Sequence, residues 1–486
     1  MQKNNIFLTP LKSFDTFLKT KTLRTSGKEK HLTIKSARPE CHVVVYRRVN
    51  TSGKKVLLSA LLFLFLITHA TPTFETAQHY QNAEQFDDAI ACYKEIVRSN
   101  PQDINAFFNL GCCYLALGAY QDAIASFDAT LAIQPNIAAL YNKAFTYKTA
   151  GDLDTAITLY KQIIEQDPDY EPAQLALGFA YITQGNFELG WPQHERYLKR
   201  SGKNGDRLRT LLEEDTIAHK KVLLTPEGGL GDTLQFVRYA KCLKQLGADV
   251  IVACQKPLIP ILSRCLYIDQ LLPCGIALPG HDASATLMSL PAIFYDDEKT
   301  APDQMPYLYA DPALVEYWRE QLSTDTNFKV GICWQADIKN DIPSKLPIAR
   351  RGVPLSSFAP LASLKGVSFY SLQKYDGMDQ LDKTNFPLNV FDQLDDYAGP
   401  FMDTAALIKN LDLIITVDTA VAHLAGALDA DVWLLHPYAT ADWRWICHHT
   451  DSYWYPTMRI FKQKKPFDYD GVMKEVFDAL QEKIKK

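Results

Sequence analysis

Small residues recur along the first half of this chain at an almost fixed interval. Ala77, Gly111, Ala144 and Gly178 are spaced by 34, 33 and 34 positions, and Ala89, Ala123, Ala156 and Gly190 repeat the same spacings in a second phase. Prolines at 101, 135 and 168 form a third phase, and glycines at 118, 151 and 185 a fourth. A fixed interval of this length requires a repeated supersecondary unit, because only identical units stacked side by side put the same close contact in the same place each time. Small residues then mark where two helices approach, and prolines mark where a pair ends.

An interval of 34 residues per helix pair is that of tetratricopeptide repeats, and it covers residues 71–200. Three complete repeats are expected, with a fourth that changes character after Trp191. Tyr80, Tyr114, Tyr147 and Tyr181 share the spacing and are assigned to the packing between helices rather than to a cofactor. An array this short offers either a small concave surface for a peptide or protein partner or a structural cap on the domain that follows, and the sequence leaves both open.

From Lys221 the pattern changes. Short β-branched runs (KVLLT, ADVIVAC, FKVGICWQ, VSFYSLQ, LIITVD, DVWLLH) alternate with amphipathic stretches such as TLQFVRYAKCLKQLG, TAALIKNL and TAVAHLAGAL. This alternation implies parallel sheets covered by helices, divided into a half over 217–325 and a half over 326–486. The expected fold class is therefore α + α/β, a helical repeat array followed by two Rossmann-like domains.

Two strand ends carry residues suited to chemistry. KVLLT runs into PEGGLGD, so Gly228, Gly229 and Gly231 let a ligand approach the backbone where a helix opens. Asp232 reads as the N-cap of a helix beginning at Thr233, or as a general base facing a cleft. LIITVDTAVAH places Asp418, Thr419 and Ala420 at a second strand end and helix mouth, with His423 one turn further. Amides there, with Arg351 and Lys339 as candidate cations, would stabilise a departing diphosphate. His423 reads equally well as a packed helix histidine.

Taken together, GGLGD, SLQK, LIITVDTAVAHLAGAL and WYPTMRIFKQ resemble glycosyltransferase family 9, the heptosyltransferase-like group, over roughly residues 217–466. The chain is also similar to bacterial tetratricopeptide proteins with such a domain at their C-terminus, whose DWRW box matches Asp442 to Trp445. The resemblance implies a GT-B pair and transfer with inversion, without metal or cofactor, from a nucleotide-diphosphate sugar to a glycan, lipid or protein acceptor. It implies Asp232 as catalytic base and a donor diphosphate site of Gly229, Gly231, Arg351, Gln373, Asp418, Thr419, Ala420 and His423. Asp429 stands where relatives end a helix with glycine. A protein partner on the repeats is expected, and a non-catalytic scaffold with a nucleotide-sugar-binding or degenerate domain is the alternative. A protein-modifying enzyme analogous to repeat-bearing O-GlcNAc transferases rests on architecture alone.

Composition excludes a disulfide-stapled miniature and gives no bulk nucleic-acid signature, with 47% hydrophobic residues, 22% charged residues and a net charge of -5. The first 55 residues hold 13 Lys/Arg against three acidic residues and read as a basic, disordered tail. Residues 56–70 follow, and their apolar run VLLSALLFLFLI has the length of a signal-peptide core. It is shorter than the roughly 20 residues of a membrane span. Translation starting near Val49 would make it a signal; otherwise it serves as an anchor. A nucleotide-sugar donor places the catalytic domain in the cytoplasm, membrane-associated if 56–70 anchors it. Ten cysteines with no CxxC pair read as reduced thiols.

Overall fold

The computed structural model describes residues 32–35, 42–45, 72–200, 205–294, 305–337, 347–439, 442–445 and 449–485. The apolar segment 56–70 lies outside these residues, as does Lys339. Within the stretch read as a disordered tail, β1 (Leu32–Lys35) and β2 (His42–Val45) pair antiparallel. That pairing departs from the tail reading; the runs LTIK and HVVV carry enough β-branched residues to form strands despite the surrounding charge. Among the described residues no helix is long and apolar enough to cross a membrane.

Four helix pairs follow: α1 (Phe74–Asn82) with α2 (Phe86–Ser99), α3 (Ile104–Ala116) with α4 (Tyr120–Ile133), α5 (Ile137–Ala150) with α6 (Leu153–Gln166), and α7 (Glu171–Thr183) with α8 (Phe187–Arg200). Side chains of Thr73, Asp103, Asn136 and Asp152 cap four of them by accepting a backbone N–H three residues on. Gly118, Gly151 and Gly185 turn the chain inside the second, third and fourth repeats with φ of 75°, 91° and 84°, in the left-handed region. The small-residue phases are the helix contacts: a Cβ on Gly111 would lie 2.7 Å from the Phe127 ring, and one on Gly190 2.5 Å from Ile182. The fourth pair is complete. Its character changes after Trp191 because α8 turns Trp191 and His194 inward, against the following domain, where both are buried.

After α9 (Asp206–Glu213) comes a parallel sheet of β3 (Lys221–Thr225), β4 (Asp249–Cys254), β5 (Gln270–Pro273) and β6 (Ala283–Thr286), in the order β5-β4-β3-β6. The helical run after β3 is not one helix but two, α10 (Leu230–Phe236) and α11 (Arg238–Gln245), interrupted at Val237. α12 (Pro312–Gln321) leads to the second parallel sheet. This contains β7 (Phe328–Cys333), β8 (Val367–Ser371), β9 (Leu388–Asn389), β10 (Leu413–Val417), β11 (Val432–His436) and β12 (Met458–Lys462), in the order β12-β11-β10-β7-β8-β9. Counted within its own half, that order is 3-2-1-4-5-6 read from β9, the doubly wound Rossmann order, and the first sheet has its first four strands.

α13 (Met402–Ile408) precedes β10, α14 (Ala420–Ala427) connects β10 to β11, and α15 (Tyr469–Lys483) closes the chain. The expected boundary at 325 is crossed by side chains. Trp318 of α12 donates to Asp403 of α13 at 3.0 Å, and Asn410 donates to the Val315 carbonyl at 2.9 Å, so α12 packs on the second half. One continuous apolar core joins the last repeat (Phe187, Trp191), the first sheet (Val222, Leu224) and one face of the second (Ile414, Leu434).

The repeat array docks through the edge formed by its intra-repeat turns. Glu84 pairs with Arg350 at 2.5 Å, Tyr120 stacks on Tyr438 at 5.6 Å, and Leu115 and Phe127 share a cluster with Ile348, Ala349 and Ala439. Along this edge the array is a structural cap, one of the two roles left open by the sequence.

Candidate active site

Ligands of doubly wound sheets bind outside the carboxyl ends of the strands, where the strand order reverses. In the first half that point lies between β3 and β6, and in the second between β7 and β10. The glycine loop leaves β3, and Asp418 and Thr419 leave β10, so each sequence candidate stands at a switch point. The two points face each other: α10 packs on α14, and a Cβ on Gly231 would lie 2.6 Å from Cδ2 of His423.

Asp232 is not the N-cap of its helix. Gly229 takes that place, and Asp232 sits three residues in, reaching back so that its Oδ2 accepts the Gly229 N–H at 2.6 Å. A Cβ on Gly228 would collide with this carboxylate, which explains the glycine. The other oxygen, Oδ1, pairs with Nη2 of Arg444. Arg444 Nη1 donates to both oxygens of Asp442 at 3.1 Å, and Nε donates to Gln235.

The Arg444 side chain is 5% exposed and that of Asp232 is 23% exposed. Burial disfavours the Arg444 charge, but Asp442, Asp232 and Asp418 outweigh it and hold the guanidinium above its ordinary range. Burial likewise pushes the Asp442 carboxyl up, and the Arg444 charge and hydrogen bonds override this, leaving it lowered to about 2.

In the second half, Asp418 is buried, with Oδ2 3.9 Å from Arg351 Nη1 and Oδ1 3.9 Å from His423 Nε2. Thr419 is the N-cap of α14 with its hydroxyl near Cys333 and Thr416, and its side chain makes no hydrogen bond to the helix start. Ala420 is the first helical residue, so a ligand can approach the first amides closely.

His423 is fully buried, with Nδ1 2.9 Å from the Tyr455 hydroxyl and its ring stacked on Trp445 at 5.8 Å. Burial, then the positive charge of Arg444, lowers its pKa to about 3, so it is neutral and packed between the halves. That is the packed-histidine alternative.

Gln373 is placed differently from the cleft-facing donor contact expected. Its oxygen accepts from the Trp334 and Gln335 amides at 3.0 and 2.9 Å, and its nitrogen donates to the Gln335 and Asp376 carbonyls at 3.0 and 2.8 Å. The side chain amide is engaged on both ends in bracing the loop after β7.

Sequence reasoning named the DWRW box as a motif but missed Arg444 as a site residue, along with Gln235, Arg238 and Tyr455. Arg238 is fully buried between the Tyr307 and Tyr455 rings, at 4.4 and 5.0 Å, and donates to the Trp454 carbonyl at 2.9 Å and the Tyr307 hydroxyl at 3.0 Å. Tyr455 then reaches His423, so a polar chain runs from one half into the other.

Fold and site together define a tetratricopeptide-repeat protein whose C-terminal part is a facing pair of parallel α/β halves. Residues 74–136 and 148–189 match tetratricopeptide repeat family models. The chain is 23% identical to Protein FlbA of Caulobacter vibrioides over 425 residues, covering 81% of this chain and 70% of that one. It spans only 9% of human superkiller complex protein 3, to which it is 30% identical over 141 residues. Among solved structures it is similar to the E. coli ADP-heptose lipopolysaccharide heptosyltransferase II, with 15% identity, 55% of this chain, 100% of that chain and a TM-score of 0.40. A glycosyl transferase family 9 structure from Veillonella parvula gives 12% identity, 53% and 90% coverage and a TM-score of 0.37.

Proposed function

We propose that the protein is an inverting, metal-independent glycosyltransferase that moves a sugar from a nucleotide-diphosphate donor to a glycan, lipid or protein acceptor. One observation carries this reading. The switch points of the two halves converge: Asp232 of the first pairs with the buried Arg444, whose charge also acts on Asp418 of the second, the residue just before the helix start at Thr419 and Ala420, and Gly231 packs on His423 of that helix.

In this mechanism Asp232 accepts the proton of an acceptor hydroxyl as that oxygen attacks the anomeric carbon. The new C–O bond forms opposite the breaking bond to the diphosphate, which inverts the centre. The nucleoside diphosphate leaves with the bonding electron pair. The first amides of α14 and the Arg351 guanidinium stabilise the negative charge it gains. Gly229 and Gly231 leave room for the reacting sugar near the backbone of the first half, while Gln373 fixes the loop that follows β7.

A non-catalytic scaffold is the second reading, favoured by the engagement of both Asp232 oxygens and by the locked, neutral His423. A nucleotide-sugar panel separates the two. Release of nucleoside diphosphate from one donor, reduced by Arg351→Ala chiefly through donor KM, supports the transferase. Thermal stabilisation by nucleoside diphosphates with no turnover of any donor supports the scaffold.

A further inference from the structure

Arg444 lies 212 residues from Asp232 in sequence and meets it in space, and each of its three nitrogens has a partner: Asp232, Asp442 and Gln235. Its guanidinium also lies 4.4 Å from the centre of the Trp443 ring and 5.4 Å from that of Phe236. A planar fork held at every nitrogen and stacked against aromatic rings has one orientation, and it imposes that orientation on the carboxylate it grips.

The rings that hold it come from three parts of the chain. Trp443 lies between Phe179 and Phe236, nearly parallel to both, with centroid distances of 5.7 and 6.1 Å and interplanar angles of 6° and 11°. Trp191 meets Trp443 edge-on at 5.6 Å and Trp454 at 6.4 Å. Phe179 belongs to α7 and Trp191 to α8, the last helix pair of the repeat array. A continuous series of contacts therefore runs from the array, through Trp443 and Arg444, to Asp232.

We infer that Arg444 is a positioning residue for Asp232, and that the last tetratricopeptide repeat is a working part of the active site because it fixes Arg444 through Trp443. The inference rests on the reading of Asp232 as catalytic base. Arg444 is far more buried than the carboxylate it holds, so Asp232 faces the acceptor while the arginine acts from behind it. With Oδ2 fixed by the Gly229 amide and Oδ1 by Arg444, the carboxylate cannot rotate, and the one lone pair left on each oxygen has a set direction. Occupancy of the array by a partner would reach the chemistry along the same path.

The test is steady-state transfer by the full chain, comparing wild type with Arg444→Lys, Arg444→Met, Phe179→Leu and Asp232→Ala, each checked for folding by circular dichroism. Arg444→Lys keeps the charge but not the fork, and is expected to lower kcat about 10- to 100-fold with donor KM changed less than about threefold. Arg444→Met, which removes the charge as well as the fork, is expected to lower kcat at least as much, again with donor KM changed less than about threefold. Phe179→Leu is expected to lower kcat in the same pattern but less. Unchanged kcat in both folded Arg444 variants, with Asp232→Ala inactive, would overturn this inference and leave the transferase reading standing. Wild-type turnover by Asp232→Ala would overturn the base assignment and this inference with it.

Discussion

Gly231 and His423 touch across the junction of the two halves, so closely that one added methyl group at Gly231 would stand 2.6 Å from the imidazole. The glycine that sequence reasoning assigned to ligand approach thus has a packing role as well. Gly231→Ala must part α10 from α14, and overpacking of this kind costs about 1–3 kcal/mol. Urea denaturation is expected to show that loss, and an unchanged midpoint would mean that the halves are less tightly joined than the contact implies.

The acid side of the stability profile should be steep. Burial lowers His194 to about 4 and His423 and His436 to about 3, from an ordinary 6.5. Because the folded pKa values are depressed, the stability tied to neutral imidazoles is present above pH 6.5 and is lost as pH falls toward 4 and 3. The pH dependence of thermal melting near pH 5 is expected to show these three imidazoles taking up nearly three protons on unfolding, offset by the release of up to about one from Glu195.

Glu195 acts in the opposite direction. Burial, against the opposing charge of Arg209, raises its pKa to about 7, with Glu227 and Asp206 adding to the rise. A raised folded pKa favours the folded state most below about pH 4.5, and this advantage declines as pH rises to 7. Glu195→Gln is therefore expected to be more stable than wild type above pH 7, by up to roughly 3 kcal/mol and with a higher melting temperature, and to match it near pH 4.5. Equal melting temperatures at pH 8 would contradict this.

Asp429 ends α14 with φ of +60°, and the Asp429 and Ala430 amides close the turn onto the Gly426 and Ala425 carbonyls at 3.0 Å. Glycine takes this left-handed conformation without the Cβ penalty. Asp429→Gly is expected to stabilise the protein by about 1 kcal/mol, which a chemical denaturation midpoint would reveal.

The repeat array was legible in advance because close helix contacts demand small residues, and stacking repeats that demand every 33 or 34 positions. Strands such as β10, with all of LIITV buried on both faces, were legible as continuous apolar runs. β6 was missed because ASAT is short and built of small residues, β5 because it sits at an edge and ends in proline, and β9 because it has two residues. Both switch-point loops could be read from glycines and strand ends, but Arg444 could not, since its partner is 212 residues away and nothing local encodes the meeting. Gln373 was misplaced for a related reason: a strand-end amide looks the same in sequence whether it faces a ligand or braces a loop.

Kinetics of Asp232→Ala against the donor that the wild-type enzyme uses test the central claim most directly. Turnover is expected to fall on the order of 10²- to 10⁴-fold, while the Kd for nucleoside diphosphate, which the proposed function assigns to the second half, changes only a few fold. Turnover at the wild-type rate would contradict the assignment of Asp232 as the base.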